Sequence, residues 1–134
     1  MSIDAPPQIF KDFLAEQGIE LCQIISGEGM SIGHRISEQL VLDSLHIMLM
    51  PEKYPLVVTS NTGMHRTGTI IGCLRRLENW SLSNIFEEFR RFTGLKASNI
   101  HEQFVELFDT DLVQIPPNVH DLPFVISINP KHQI

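Results

Sequence analysis

The stretch from Leu56 to Leu77 limits this chain more than any other. Leu56-Val57-Val58-Thr59 is a short, continuous apolar run, the pattern of a central strand buried on both faces. A polar, glycine-containing loop follows from Ser60 to Arg66, and the next residues predict a helix from about Thr67 to Leu77. Such a handover from strand to helix also makes a chemical arrangement. Successive backbone N–H groups in a compact loop can point at one spot, and the first helical turn adds its own N–H groups and a partial positive charge. That is a site for a phosphate-sized anion. Gly63 and Gly68 let the backbone turn with no Cβ in the way. Arg66 can close the site with a planar fork on two phosphate oxygens. A nucleotide-binding loop of the form G-x-x-x-x-G-K-[ST] does not fit. Gly63 and Gly68 have its spacing, but Thr69 stands where the lysine must be.

Helices dominate the rest of the pattern. Ile9, Phe10, Phe13 and Leu14 sit at helical spacing, with Gly18 as the cap. Glu20 to Ile25 reads as a strand, closed by Ser26-Gly27-Glu28-Gly29. Ser37 predicts the start of a helix that runs to about Leu49 with Leu40, Val41, Leu45, Met48 and Leu49 on one face. Asn84 with Glu87, and Asn99 with Glu102, make capping-box patterns ahead of two further helices. Phe124 to Ile128 is a third strand candidate, and the tail with Pro116, Pro117, Pro123 and Pro130 is expected to run extended over the surface. Two clear strands are few for a sheet packed between helices. Either a strand lies unseen in residues 1–8 or the chain is short of strands at its N-terminus.

Size and charge narrow the function. A chain of 134 residues has room for one domain. Its net charge of -6 argues against wholesale binding of a nucleic-acid backbone. The longest apolar run, near Ile47 to Met50, is too short to span a membrane, and the first residues lack the pattern of a signal peptide. A cytoplasmic location is therefore expected, with Cys22 and Cys73 as reduced, buried thiols. His34, His46, His101, His120 and His132 are scattered without metal-ligand spacing, so no metal and no cofactor is expected. Arg75, Arg76, Arg90 and Arg91 are expected on helix surfaces, paired with Glu78, Glu87 and Glu88.

The string Thr59-Ser60-Asn61-Thr62-Gly63-Met64-His65-Arg66-Thr67-Gly68 resembles the phosphate-binding loop of the protein tyrosine phosphatase superfamily, H-C-x-x-G-x-x-R-[ST]-G. Within it, the string is most similar to that of the plant and fungal atypical dual-specificity phosphatases, an inositol pyrophosphate phosphatase-like family. Ile71 to Leu77, Asn79 to Leu82, Ile85 to Phe92 and Phe104 to Asp109 follow the same pattern, and the likeness covers about residues 8–112. It implies an α/β fold: a three-layer tyrosine-phosphatase-like sheet with flanking helices, short here of N-terminal strands. A phosphatase-like domain over 1–115 and an extended tail over 116–134 are expected. The family's substrates imply a phosphorylated small molecule or a phosphoprotein as partner. The incomplete sheet leaves room for a homo- or hetero-oligomer with related chains.

The departures matter more than the matches. Ser60 stands where the family has its nucleophilic cysteine, and Thr59 where it has the preceding histidine. Thr62 and Met64 replace residues that are usually basic, while Gly63, His65, Arg66, Thr67 and Gly68 are retained. A thiolate in such a loop is held ionised at neutral pH; a serine hydroxyl is not, because its pKa lies far higher and no base adjoins it. Loss of a nucleophile costs on the order of 10⁴–10⁶ in turnover. Phosphate binding by Ser60, Asn61, Thr62, Gly63, Met64, His65, Arg66 and Thr67 need not suffer. The resemblance places a proton donor in the loop from Ser26 to Arg35, where Glu28 is the acidic residue, and gives Thr67 the hydroxyl that steadies the family's leaving thiolate. The expectation is an inactive or strongly impaired phosphatase-like domain. The alternative is an active cysteine-dependent phosphatase seen as a Cys-to-Ser trapped variant. Changes at Thr59, Thr62 and Met64 favour natural loss, since a trapping experiment alters one residue.

Overall fold

A computed structural model describes residues 1–24, 36–61, 64–94 and 99–127. The described residues hold α1 (Gln8–Glu16), α2 (Glu38–Met48), α3 (His65–Leu77), α4 (Leu82–Thr93) and α5 (Asn99–Leu107), with short 3-10 turns at Pro51–Lys53, Thr110–Leu112 and Val119–Asp121.

The expected sheet is reduced to its minimum. No strand ladder forms among the described residues; Ser2 makes isolated parallel bridges to Gln23 and to Thr59. Backbone bonds fix the arrangement: Ser2 N–H to Cys22 O at 2.8 Å, Ile24 N–H to Ser2 O at 2.9 Å, Ile3 N–H to Thr59 O at 2.9 Å and Thr59 N–H to Met1 O at 3.0 Å. Residues 1–3 thus lie between the two extended segments read from the sequence, and Met1, Ser2 and Ile3 are buried. The extended piece in residues 1–8 is present, but it is too short to show a period. The segment at 56–59 is not buried on both faces as its composition suggested. Val57 is 72% exposed, while Leu56 and Val58 are partly buried against the core.

Helix α3 is the centre of the packing, touching α2, α4 and α5. Its Ile70, Cys73, Leu74 and Leu77 are buried with Val41, Leu45 and Leu49 of α2, Ile85 of α4 and Val105 of α5. Two glycines permit the close approach. A Cβ on Gly68 would stand 2.8 Å from Phe89 Cε2, and one on Gly72 would stand 2.9 Å from Val105 Cγ2. Gly68, read above as loop freedom, is a helical residue whose bare face admits a phenyl ring. Gly72→Ala is therefore expected to lower stability by about 1–2 kcal/mol, because overpacking against buried Val105 outweighs the gain in helix propensity. The midpoint of urea unfolding checks this. A midpoint that rises would show that α3 and α5 separate at little cost.

The helix ends explain several boundaries. Ser37 caps α2 as expected, its Oγ accepting from Leu40 N–H at 3.2 Å. The cap of α4 is Ser81, which accepts from Asn84 N–H at 3.3 Å, so Asn84 lies inside the first turn. Asn99 likewise begins α5 as a helical residue, and its expected partner Glu102 instead takes Arg90 of α4 in a two-pronged pair at 2.6 and 2.7 Å. Both α1 and α3 end in a left-handed residue, Gly18 (φ +66°) and Asn79 (φ +63°). The following N–H reaches back in each case, from Ile19 to Leu14 O and from Trp80 to Arg75 O.

Arg75 and Arg76 tie helices together, while Arg91 stays exposed and pairs with Glu87 of its own helix as expected. Arg75 pairs with Glu78 and Glu88 and lies 4.3 Å over the Trp80 ring. Arg76 donates to the carbonyls of Val105 and Glu106 near the end of α5. The described part of the segment after Pro116 is anchored at three points: Val119, Leu122 and Ile126 are buried while most residues between them are exposed, and Ser127 N–H donates to Leu77 O at 2.8 Å. No strand forms over the described residues 124–127 of the third strand candidate, and residue 128 lies outside the described residues.

Candidate functional site

The loop after Thr59 delivers its side chains to the first turn of α3. That helix begins at His65, two residues before the expected Thr67. Arg66 therefore projects from a helical turn, a stiffer base than a loop. Ser60 Oγ lies 2.7 Å from Thr67 Oγ1, and either hydroxyl can donate. The hydroxyl assigned by resemblance to steady a thiolate is thus in contact with Ser60 Oγ. Thr62, Gly63 and Glu28 lie outside the described residues. Met64 is half-buried immediately before α3.

His65 is held by the helical layer. Its ring stacks on buried His101 of α5, with centroids 4.7 Å apart and planes 11° from parallel. Thr69 Oγ1 donates to His65 O at 2.6 Å and lies 3.3 Å from His101 Nδ1. This contact fits a role beneath the loop, not one as a base facing Ser60.

Asp4 is the residue that sequence reasoning missed. Its Oδ2 accepts the Asn61 backbone N–H at 2.8 Å, and its Oδ1 pairs with Arg66 Nη1. Asp4 follows the three-residue extended piece that no periodicity revealed, and the ends of parallel extended segments gather their following residues at one edge. The side chains of Asp4 and Arg66 are 12% and 28% exposed, so the pair is sheltered from water but open to it.

Neither thiol stands in the Ser60–Arg66 loop. Cys73 is buried in α3, and burial pushes its pKa up to about 12. Cys22 is half-buried, with Sγ 3.5 Å from Glu20 Oε1. A thiol reagent is expected to label Cys22 in the folded protein and Cys73 only after denaturation. Fast labelling of both in the native state would contradict this burial. Among the described residues, no group of His, Cys, Asp and Glu is placed to hold a metal ion. No helix among them is long and apolar enough to cross a membrane.

Comparison with known proteins places this geometry. The model of a family described as "Tyrosine phosphatase family" matches residues 2–126. The chain is 49% identical over 110 residues to "Probable tyrosine-protein phosphatase DG1060" of Dictyostelium discoideum, covering 82% of this chain and 66% of that relative. It is 40% identical over 108 residues to inositol diphosphatase SIW14 of Saccharomyces cerevisiae, covering 81% of this chain and 38% of the relative. The crystal structure of the core catalytic domain of SIW14, in complex with citrate, superposes with a TM-score of 0.74 at 41% identity, over 82% of this chain and 66% of that one. A second structure of the Siw14 catalytic core gives 0.80 at 38% identity, over 92% and 74%.

Proposed function

We propose that this chain, which belongs to the tyrosine phosphatase family, holds a phosphorylated ligand in its Ser60–Thr67 loop and turns it over very slowly or not at all. One observation supports binding above the others. The Arg66 guanidinium and the Asn61 amide converge on the two oxygens of a single carboxylate. A phosphate offers the same pair of oxygens with a further acceptor and more charge. Main-chain N–H groups of Met64 to Thr67, around the start of α3, add to the phosphate-binding set in this reading.

Slow turnover follows from Ser60. Its hydroxyl contacts that of Thr67, and the His65 imidazole is stacked on His101. A hydroxyl's pKa lies far above that of a thiol, so in this reading the loop does not hold Ser60 ionised at neutral pH as it would a cysteine. The names of the relatives point to inositol pyrophosphates or phosphotyrosine as ligand classes. Uncharged Thr62 and Met64 weaken the attraction for the most highly charged of these, which favours a phosphoprotein. Free thiols at Cys22 and Cys73 support a reducing, cytoplasmic setting. Titration with inorganic phosphate tests the binding half, with Arg66→Ala as control; equal binding by the two proteins would sink it.

A second reading, a subunit that pairs with related chains, is favoured by the uncovered apolar surface of Ile9 (81% exposed), Phe13 (51%) and Val57 (72%). Sedimentation at several concentrations would show a mass that rises with concentration. A monomer throughout would exclude self-pairing.

A further inference from the structure

We infer that Asp4 is an internal competitor for the phosphate site, a tethered carboxylate that an incoming phosphate must displace. This rests on the reading of the Ser60–Thr67 loop as a phosphate site. The contacts are those of a bound anion: one carboxylate oxygen on Arg66 Nη1, the other on the Asn61 N–H at 2.8 Å. In this proposal a phosphate takes the Asn61 N–H and the face of Arg66 that Asp4 now holds, so carboxylate and ligand compete there even though the guanidinium has further N–H groups.

The tether makes the competition effective. Ile3 N–H bonds Thr59 O at 2.9 Å, and Ser2 Oγ donates to Asp4 O at 2.6 Å, so the backbone before Asp4 is pinned beside the segment that leads into the loop. A short tether of this kind presents its end group at an effective concentration of about millimolar or higher. Every anion that uses the two donors then loses affinity by the same factor, because the free state already contains the Asp4 complex.

The competing role for Asp4 is to position Arg66, and the two roles have opposite signs. Asp4→Asn keeps the shape of the side chain and removes its charge. Under competition, inorganic phosphate and phenyl phosphate both bind Asp4→Asn about 10-fold more tightly than wild type, and Asp4→Ala shows the same direction. Calorimetric titration of all three proteins reads this, with thermal unfolding as the check that each is folded. Unchanged or weaker binding by folded Asp4→Asn would overturn the inference and leave the phosphate site standing. Absence of phosphate binding in both wild type and folded Asp4→Asn would overturn the site and the inference together.

Discussion

Replacing Arg66 with alanine weakens phosphate binding by about 30- to 1,000-fold. The guanidinium supplies the positive side chain in the described part of the loop, and its fork geometry matches two phosphate oxygens. Truncating one partner of a sheltered, hydrogen-bonded charge pair costs about 2–5 kcal/mol. The 28% exposure of Arg66 places the effect in the lower part of that range, about 2–4 kcal/mol, and 1.4 kcal/mol is about tenfold in affinity. The same change leaves the Asp4 carboxylate beside the site without its cationic partner, which adds repulsion toward any anion. Arg66→Lys keeps the charge and loses the fork, so an intermediate loss is expected. Titration with inorganic phosphate, supported by an unfolding curve for each protein, measures both. An alanine variant that binds as well as wild type would mean that the guanidinium serves Asp4 alone.

The second large effect concerns turnover. Phosphate release from a phosphate monoester is expected to run about 10⁴–10⁶ below that of a cysteine-bearing relative, the usual consequence of losing a nucleophile. Ser60→Cys restores an ionisable atom at the head of α3, where first-turn N–H groups and the helix dipole lower a thiol pKa. Thr67 Oγ1, now 2.7 Å from Ser60 Oγ, is already in place to donate to a thiolate there. Release should therefore rise well above wild type. It should stay below the relative's rate, because Thr59, Thr62 and Met64 also depart from the family pattern. Full recovery in the single variant would favour the reading in which Ser60 is a trapping substitution in an otherwise intact enzyme. No rise at all would show that the surrounding loop no longer supports the chemistry.

Much of the site was legible because its parts lie close together in the chain. Ser60, Asn61, Arg66 and Thr67 belong to one short segment, and the contact between Ser60 and Thr67 spans one loop. The helices were legible for a similar reason: Leu40, Val41, Leu45 and Met48 repeat at the helical period, and all are buried. Errors came where a residue had a partner elsewhere. Glu102 looked like a cap for its own helix, but Arg90 of the neighbouring helix takes its carboxylate. Gly68 looked like a turn residue until Phe89 was seen against its bare face. In the proline-containing tail, expected to run extended over the surface, the described residues Val119, Leu122 and Ile126 find apolar surface prepared by other segments.

Spacing inside single segments was enough to reveal the helices and their caps at Ser37 and Gly18. These features depend on forces that act over a few residues, so one stretch of chain contains their cause. The folded chain added what lies between segments: Ser2 lodged between Gln23 and Thr59, and the Asp4 carboxylate on Arg66 across 62 positions of sequence. Bringing such distant groups together is driven by burial of the core as a whole, and no local pattern of residues encodes it.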